Sequence, residues 1–357
     1  MSYQWPLDPA DLFGERYPQM VNTGLPAADV DGVRAAITDM WPDAPGGWVR
    51  EWSELATRYA GSGQHDLAAL AYGWAKFPTL VDAAKRAALA NQLTQYQLAA
   101  PTFGVDFDRR VLELPYRDTT TAVPVHLFTP ADLPANSPVL LASGGVDSWK
   151  MDMHAMFVAA AMRLRVRVLA FDIAGTGESA IPMTSDGGAH MVRELVGYAR
   201  TLGNGVVAHL GVSMGGHYSA RSGLAGEVDA AIVLGGPVEE AFTGAGPSHF
   251  GMDGIIGNAL GFDHRPTRDE LSARFAAFSL RPLLDQDTNA PMLIVNGAED
   301  VHVPQHDTLV FQGRRDTDVH LIPDTGHCAI TKLPEVVPMM LGWLEHTLNT
   351  VAPKAHS

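Results

Sequence analysis

One cysteine, Cys328, stands in a chain of 357 residues. A lone thiol excludes an intrachain disulfide and any metal site built from several cysteines. No stretch reaches the roughly 18 uninterrupted apolar residues that read as a membrane span. Positive charge is also scarce: 25 Lys and Arg face 40 Asp and Glu, a net charge of −15. That deficit argues against nonspecific nucleic-acid binding and against adsorption to anionic membranes. The opening, MSYQWPLDPADLFGERYP, carries acids and prolines in place of a basic-then-apolar start. No signal peptide is expected, and the protein is expected to be cytoplasmic. Repeats, low-complexity tracts and long charge runs are missing too. What remains is globular composition, 46% hydrophobic and 18% charged, which excludes wholesale disorder. The length fits about two units, or one large α/β domain with an elaboration.

Residues 1–105 hold almost no strand signal. Apolar residues at three- and four-residue spacing predict helices over Asp29–Met40, Gly47–Tyr59, Asp66–Trp74 and Leu80–Leu98, with Pro42, Pro45 and Pro78 among the breaks. The texture changes after Pro101. Two alternating runs, 110–116 and 122–128, flank RDTTT and predict a hairpin. Short apolar strands then alternate with helical stretches. Strands are expected at 138–143, 165–171, 206–211, 230–235, 291–297 and 319–323. Helices are expected at His154–Arg163, Gly188–Leu202, from Met214, and at Leu341–Leu348. Continuous apolar strands alternating with helices indicate an α/β fold with a mostly parallel, doubly wound sheet over 106–350. Residues 237–288 interrupt this rhythm with a Gly-rich segment, expected as a lid or cap insertion.

The sharpest chemical signal is Gly211-Val212-Ser213-Met214-Gly215, directly after the strand VVAHL and directly before a helical stretch. This is a nucleophile elbow, G-x-S-x-G, in the strand–turn–helix setting it needs. A sharp turn strains the backbone at the serine, and the glycines leave room for strand and helix to approach. A serine hydroxyl is a weak nucleophile and needs a base. His327, in Asp324-Thr325-Gly326-His327-Cys328 just after the strand VHLIP, stands where that base is expected. Asp300, in the turn after the strand PMLIVNG, is the candidate acid to orient the imidazole; Glu299 is its immediate neighbour. A second location for an acid follows the strand AAIVLG, at Glu239 and Glu240. These two are also candidates for an extra polar group in the pocket. Backbone donors for an oxyanion are expected from Met214, the residue after the nucleophile, and from Val146 in the Gly144-Gly145-Val146-Asp147-Ser148 loop.

Other features carry less chemistry. Gly175-Thr176-Gly177 follows a strand but lacks the third glycine of a dinucleotide fingerprint, so a structural turn is expected. His302 and His306 have metal-like spacing in a loop that includes Val301, Val303 and Pro304, which argues against a ligand-bearing helix. His217, one turn into the helix after the elbow, is expected as a satisfied buried group, and Cys328 as a packing residue. No cofactor and no metal are expected.

These residues resemble the α/β-hydrolase superfamily over roughly 106–350. A helical N-terminal region, the Gly-Gly-Val-Asp-Ser loop and the segment Phe171-Asp172-x-x-Gly175-x-Gly177-Glu178-Ser179 are together similar to the FrsA-like esterases. That resemblance implies a helical cap over a Ser213–Asp300–His327 triad, and homodimers are common in the group. Some members cleave C–C bonds beside a ketone with an extra pocket carboxylate, for which Glu239 and Glu240 are the nearest candidates. The reading is thus a cofactor-free serine hydrolase acting on a small-molecule ester or lactone. C–C cleavage of a β-diketone-like aromatic or polyketide ketone is the alternative. A non-catalytic binding protein on the same fold would usually have lost part of the triad. A dehalogenase-like enzyme would need an aspartate where Ser213 stands.

Overall fold

A computed structural model describes residues 3–244 and 249–350. Their contacts divide into two compact units: one from the described residues of 1–104 and 248–266, the other from those of 105–247 and 267–357.

The first unit is helical: α1 (Pro9–Asn22), α2 (Ala27–Ala36), α3 (Trp48–Gly61), α4 (His65–Ala75) and α5 (Ala83–Ala99). Four of these overlap the expected helices. The fifth, α1, is not among the expected helices, and proline usually breaks a helix. Pro9 instead occupies the first helical position, where no N–H is needed, and Asp8 caps the end by accepting from the Ala10 N–H at 2.8 Å. The core is aromatic. Phe13, Trp48, Trp52, Trp74 and Phe77 stack with ring centroids 5.0–6.2 Å apart, and the Trp48 indole donates to Trp74 O at 2.7 Å. A helix from much later in the chain, Met252–Ala259, belongs to this unit. Gly254 lets it approach Trp5 so closely that a Cβ there would stand 2.3 Å from the indole ring. Tyr3 donates to Gly254 O at 3.0 Å, and Thr79 donates to Asn258 Oδ1 at 2.7 Å.

The second unit is built on one eight-stranded sheet. Its strands are β1 (Asp106–Tyr116), β2 (Thr119–Thr129), β3 (Val139–Ser143), β4 (Arg167–Phe171), β5 (Val207–Val212), β6 (Ala230–Leu234), β7 (Met292–Gly297) and β8 (Thr317–Ile322), in spatial order β1-β2-β4-β3-β5-β6-β7-β8. β1 and β2 form the expected hairpin, but only Arg117 and Asp118 make its turn. The threonines placed in the loop by the sequence reading extend β2, as β-branched residues suit a strand. β2 joins β4 antiparallel, and every pairing from β4 to β8 is parallel. β5, β6 and β7 are buried throughout, which is why they read as unbroken apolar runs.

Helices α6 (His154–Leu164), α7 (Ser185–Thr201) and α8 (Met214–Leu224) connect the central strands. The chain steps from β3 to β4 in one direction and from β4 past β3 to β5 in the other. Right-handed crossovers therefore place α6 and α7 on opposite faces. The loops leaving the carboxyl ends of the adjacent β3 and β5 therefore lead to helices on opposite faces. A last helix, Leu333–Thr350, starts eight residues before its expected position and holds Pro338 inside it. Of the expected insertion 237–288, residues 249–266 pack in the first unit and 237–244 and 267–288 in the second, while 245–248 lie outside the described residues. No described helix is long and apolar enough to cross a membrane.

Candidate active site

β5 ends in Val212, and α8 begins at Met214. Ser213 alone makes the turn, with φ 56° and ψ −125°. A non-glycine residue held there costs about 1–3 kcal/mol and needs its surroundings to fix it. Two bonds do so: the Ser213 N–H donates to Leu234 O, and the Gly216 N–H to Ser213 O, each at 2.7 Å. Two glycines supply the space. A Cβ on Gly211 would stand 2.0 Å from Gly215 O, and one on Gly215 would stand 2.3 Å from Gly144 O. The serine hydroxyl is thereby lifted clear of β5 at the positive end of α8.

His327 follows β8. Its Nε2 lies 2.9 Å from Ser213 Oγ, and its Nδ1 lies 2.7 Å from Asp300 Oδ2. Asp300 follows β7, and its side chain is fully buried. Three donors besides His327 hold it: Asn296 Nδ2 on Oδ2 at 2.7 Å, and the N–H groups of His302 and Val303 on Oδ1 at 2.7 and 3.2 Å. Burial alone would raise its pKa, but His327 and these hydrogen bonds prevail and lower it to about 2. For His327, burial disfavours the imidazolium, while Cys328 and Asp300 favour it and hold the pKa well above the ordinary histidine value. The Cys328 thiol donates to Leu234 O at 3.5 Å, so the standing anion beside His327 is Asp300.

Asn296, the fifth residue of β7, had no role in the sequence reading. Its amide nitrogen holds Asp300, and its oxygen accepts the N–H groups of Gly297 at 2.9 Å and Cys328 at 3.0 Å. One buried side chain thus ties the loop of Asp300 to the loop of His327. An asparagine at a strand end is too common a sequence feature to announce this.

The loop after β3 reaches the serine. A Cβ on Gly145 would stand 2.9 Å from Ser213 Cβ and 3.2 Å from its Oγ. The Gly145 N–H is committed to Ser148 O at 2.8 Å. Val146 is the next residue of this loop, and the Met214 N–H lies at the start of α8, where helical partners are lacking.

Glu239 and Glu240 are placed elsewhere. Among the described residues neither has a hydrogen bond or ion pair to Ser213 or His327. Glu239 pairs with Arg281 at 3.5 Å, and Glu240 is exposed. Their backbone is fixed by Asp307, which is fully buried and accepts the N–H groups of Val238, Glu239, Glu240 and Ala241 at 2.6–3.3 Å. His217 is buried, with Nδ1 3.2 Å from Pro237 O. His302 lies edge-on to His327, ring centroids 5.4 Å apart. The Gly175–Gly177 segment forms a turn, closed by the Gly175 N–H on Ile181 O at 2.7 Å.

Chemically, the arrangement is a hydroxyl, an imidazole and a buried carboxylate in line, with backbone donors beside the hydroxyl. A model of the family described as "Esterase FrsA-like" matches residues 45–348. The fold is similar to that of a 2,6-dihydroxy-pseudo-oxynicotine hydrolase, with a TM-score of 0.76 and 21% identity over 95% of this chain and 98% of that one. AbyA5 superposes with a TM-score of 0.82 at 20% identity, covering 96% and 95% of the two chains. Est1E from Butyrivibrio proteoclasticus, a shorter chain, covers 67% of this one with 99% of its own, at 16% identity and a TM-score of 0.51. No curated protein matches the chain in sequence.

Proposed function

Because the chain belongs to the FrsA-like esterase family, and is therefore a hydrolase of the α/β-hydrolase type, we propose that it cleaves a carboxylic ester or lactone through an acyl-enzyme on Ser213. The observation that carries this reading is the continuous chain Ser213 Oγ–His327 Nε2 at 2.9 Å and His327 Nδ1–Asp300 Oδ2 at 2.7 Å. Nε2 takes the hydroxyl proton as Oγ attacks the carbonyl carbon. Asp300 holds the Nδ1–H tautomer and stabilises the imidazolium that forms. The Val146 and Met214 amides take the developing oxyanion. The imidazolium then protonates the departing alkoxide. Water, deprotonated by His327, attacks the acyl carbon and releases the acid and free Ser213. In a lactone the leaving group stays attached to the acyl chain.

Ester cleavage stands ahead of C–C cleavage on the placement of the carboxylates. Cleaving a C–C bond beside a ketone would need an acid to protonate the departing carbanion. The two carboxylates nearest in sequence to that role are an ion-paired Glu239 and an exposed Glu240. Product analysis of the purified protein tests the choice. The panel holds p-nitrophenyl esters of several lengths, aromatic lactones and aryl β-diketones, with Ser213→Ala as control. Ester or lactone turnover lost in the variant supports the reading. Diketone cleavage with weak ester turnover overturns it.

A further inference from the structure

The loop that carries Val146 begins with two glycines, Gly144 and Gly145. Gly145 permits the close approach to Ser213, and Gly144 the fold of the loop onto Ser148 O, but neither gives rigidity of its own. Its far end is anchored by a buried ion network that has no part in the proton chain. The Lys150 side chain is fully buried and meets Asp172 Oδ2 at 2.6 Å and Glu178 Oε2 at 2.8 Å. The Lys150 N–H donates to the other oxygen of the same carboxylate, Asp172 Oδ1, at 2.9 Å. Asp172 Oδ2 also accepts the Glu178 N–H at 2.9 Å, and Arg109 closes the network on Glu178 Oε1 at 2.7 Å. The turn from Asp172 to Glu178 depends on Gly177, which has φ +54° and where a Cβ would fall 2.2 Å from Asp172 Oδ2.

Between the glycines and Lys150 the loop is closed on itself. Trp149 Nε1 donates to Val146 O at 3.1 Å, beside the bond from the Gly145 N–H to Ser148 O. Apolar burial could cover such a loop but could not set the direction of a peptide plane, because it is non-directional. Main chain and side chain of one residue, both fixed to one carboxylate, can set it. A buried charge pair is a poor source of net stability, and its best-attested use is to specify a single arrangement.

We propose that the Lys150–Asp172 ion pair, backed by Glu178, positions the loop after β3 so that the Val146 N–H faces the developing oxyanion. This rests on the ester reading above. Lys150, Asp172 and Glu178 are positioning residues and touch no reacting atom.

The test compares a matched ester and thionoester of the same alcohol. Sulfur is a weak acceptor, so an oxyanion hole favours the oxoester selectively. Asp172→Asn loses one of the two Lys150 anchors whichever way its amide turns. The expected result is a fall of about 10- to 100-fold in oxoester kcat, the scale of an ångström-sized misplacement. KM should hardly change, and the thionoester should be slowed so much less that the ratio of the two rates drops about tenfold. Glu178→Gln should move the ratio the same way by less, and it decides the matter if Asp172→Asn does not fold. Equal slowing of both substrates, or an unchanged ratio, overturns the positioning role. Wild-type protein without Ser213-dependent turnover of the oxoester overturns the ester reading itself, and this inference with it.

Discussion

Gly145 Cα stands so close to Ser213 that a single added Cβ would come within 2.9 Å of Ser213 Cβ and 3.2 Å of Oγ. No methyl group fits there without moving one of the two. Gly145→Ala should lower kcat/KM by about 10- to 100-fold, because Ser213 and the loop facing it must part. A melting temperature close to wild type, measured alongside, would place the loss in the site. An alanine variant with full activity would show that the loop and the serine are not held in this relationship.

The acid can be assigned by comparison. Asp300 is on Nδ1 of His327, whereas Glu239 is on Arg281. Asp300→Asn should cost roughly 10⁴-fold in kcat, the scale seen when an orienting aspartate is neutralised and the wrong tautomer results. Glu239→Gln and Glu240→Gln should each stay within a few-fold of wild type. Steady-state kinetics of the three variants on one ester decides this. A large loss at Glu239 with little at Asp300 would reverse the assignment.

Asp300 is also expected to set the pH profile. A base works only when neutral, and His327 has its pKa held well above the ordinary 6.5. The acidic limb of kcat/KM should therefore lie above pH 6.5, and in Asp300→Asn it should move down. For stability the two groups work in opposite directions. The raised His327 contributes fully below 6.5 and loses that contribution as pH rises through its folded pKa. Asp300, lowered to about 2, contributes fully above 3.8 and loses it as pH falls from there. The pair is thus at full strength between 3.8 and 6.5, below the pH range in which catalysis rises. An acidic limb unmoved by Asp300→Asn would show that another group governs it.

What the sequence disclosed and what it hid divide by the range of the interactions. The elbow at Ser213 was legible because strand, glycines and helix adjoin in the chain. That Asp300 and His327 would come beside it was legible because each follows its own strand directly. The hairpin was legible, but not its two-residue turn, since the threonines could serve either state. Helix α1 was obscured by prolines whose effect depends on where in the helix they fall. Contacts between distant residues left no local pattern. Asn296 reaches both Asp300 and Cys328, Asp307 gathers the N–H groups of Val238–Ala241, and Trp5 seats Gly254. The Lys150–Asp172–Glu178 network was in view only as motif letters, because neither partner alone says that the other is buried beside it.

Two histidines outside the site make acid stability measurable. Burial lowers His209 to about 3, and burial likewise lowers His217 to about 3 despite its bond to Pro237 O. Both are neutral when folded and take up protons when unfolded below 6.5. Each should therefore remove about 1.4 kcal/mol of stability per pH unit as pH falls between 6.5 and 3. Urea unfolding at pH 7 and pH 5 should show this decline, and His209→Gln should make it shallower. An identical slope in the variant would mean that His209 does not stay neutral in the fold.

The most direct test of the account is covalent labelling. A fluorophosphonate requires an activated serine, and intact mass with peptide mapping reports where it lands. The expected result is one adduct on Ser213, lost in Ser213→Ala and strongly slowed in His327→Ala. Labelling at another residue, or equal labelling when Ser213 is replaced, would contradict the claim that Ser213 is the nucleophile.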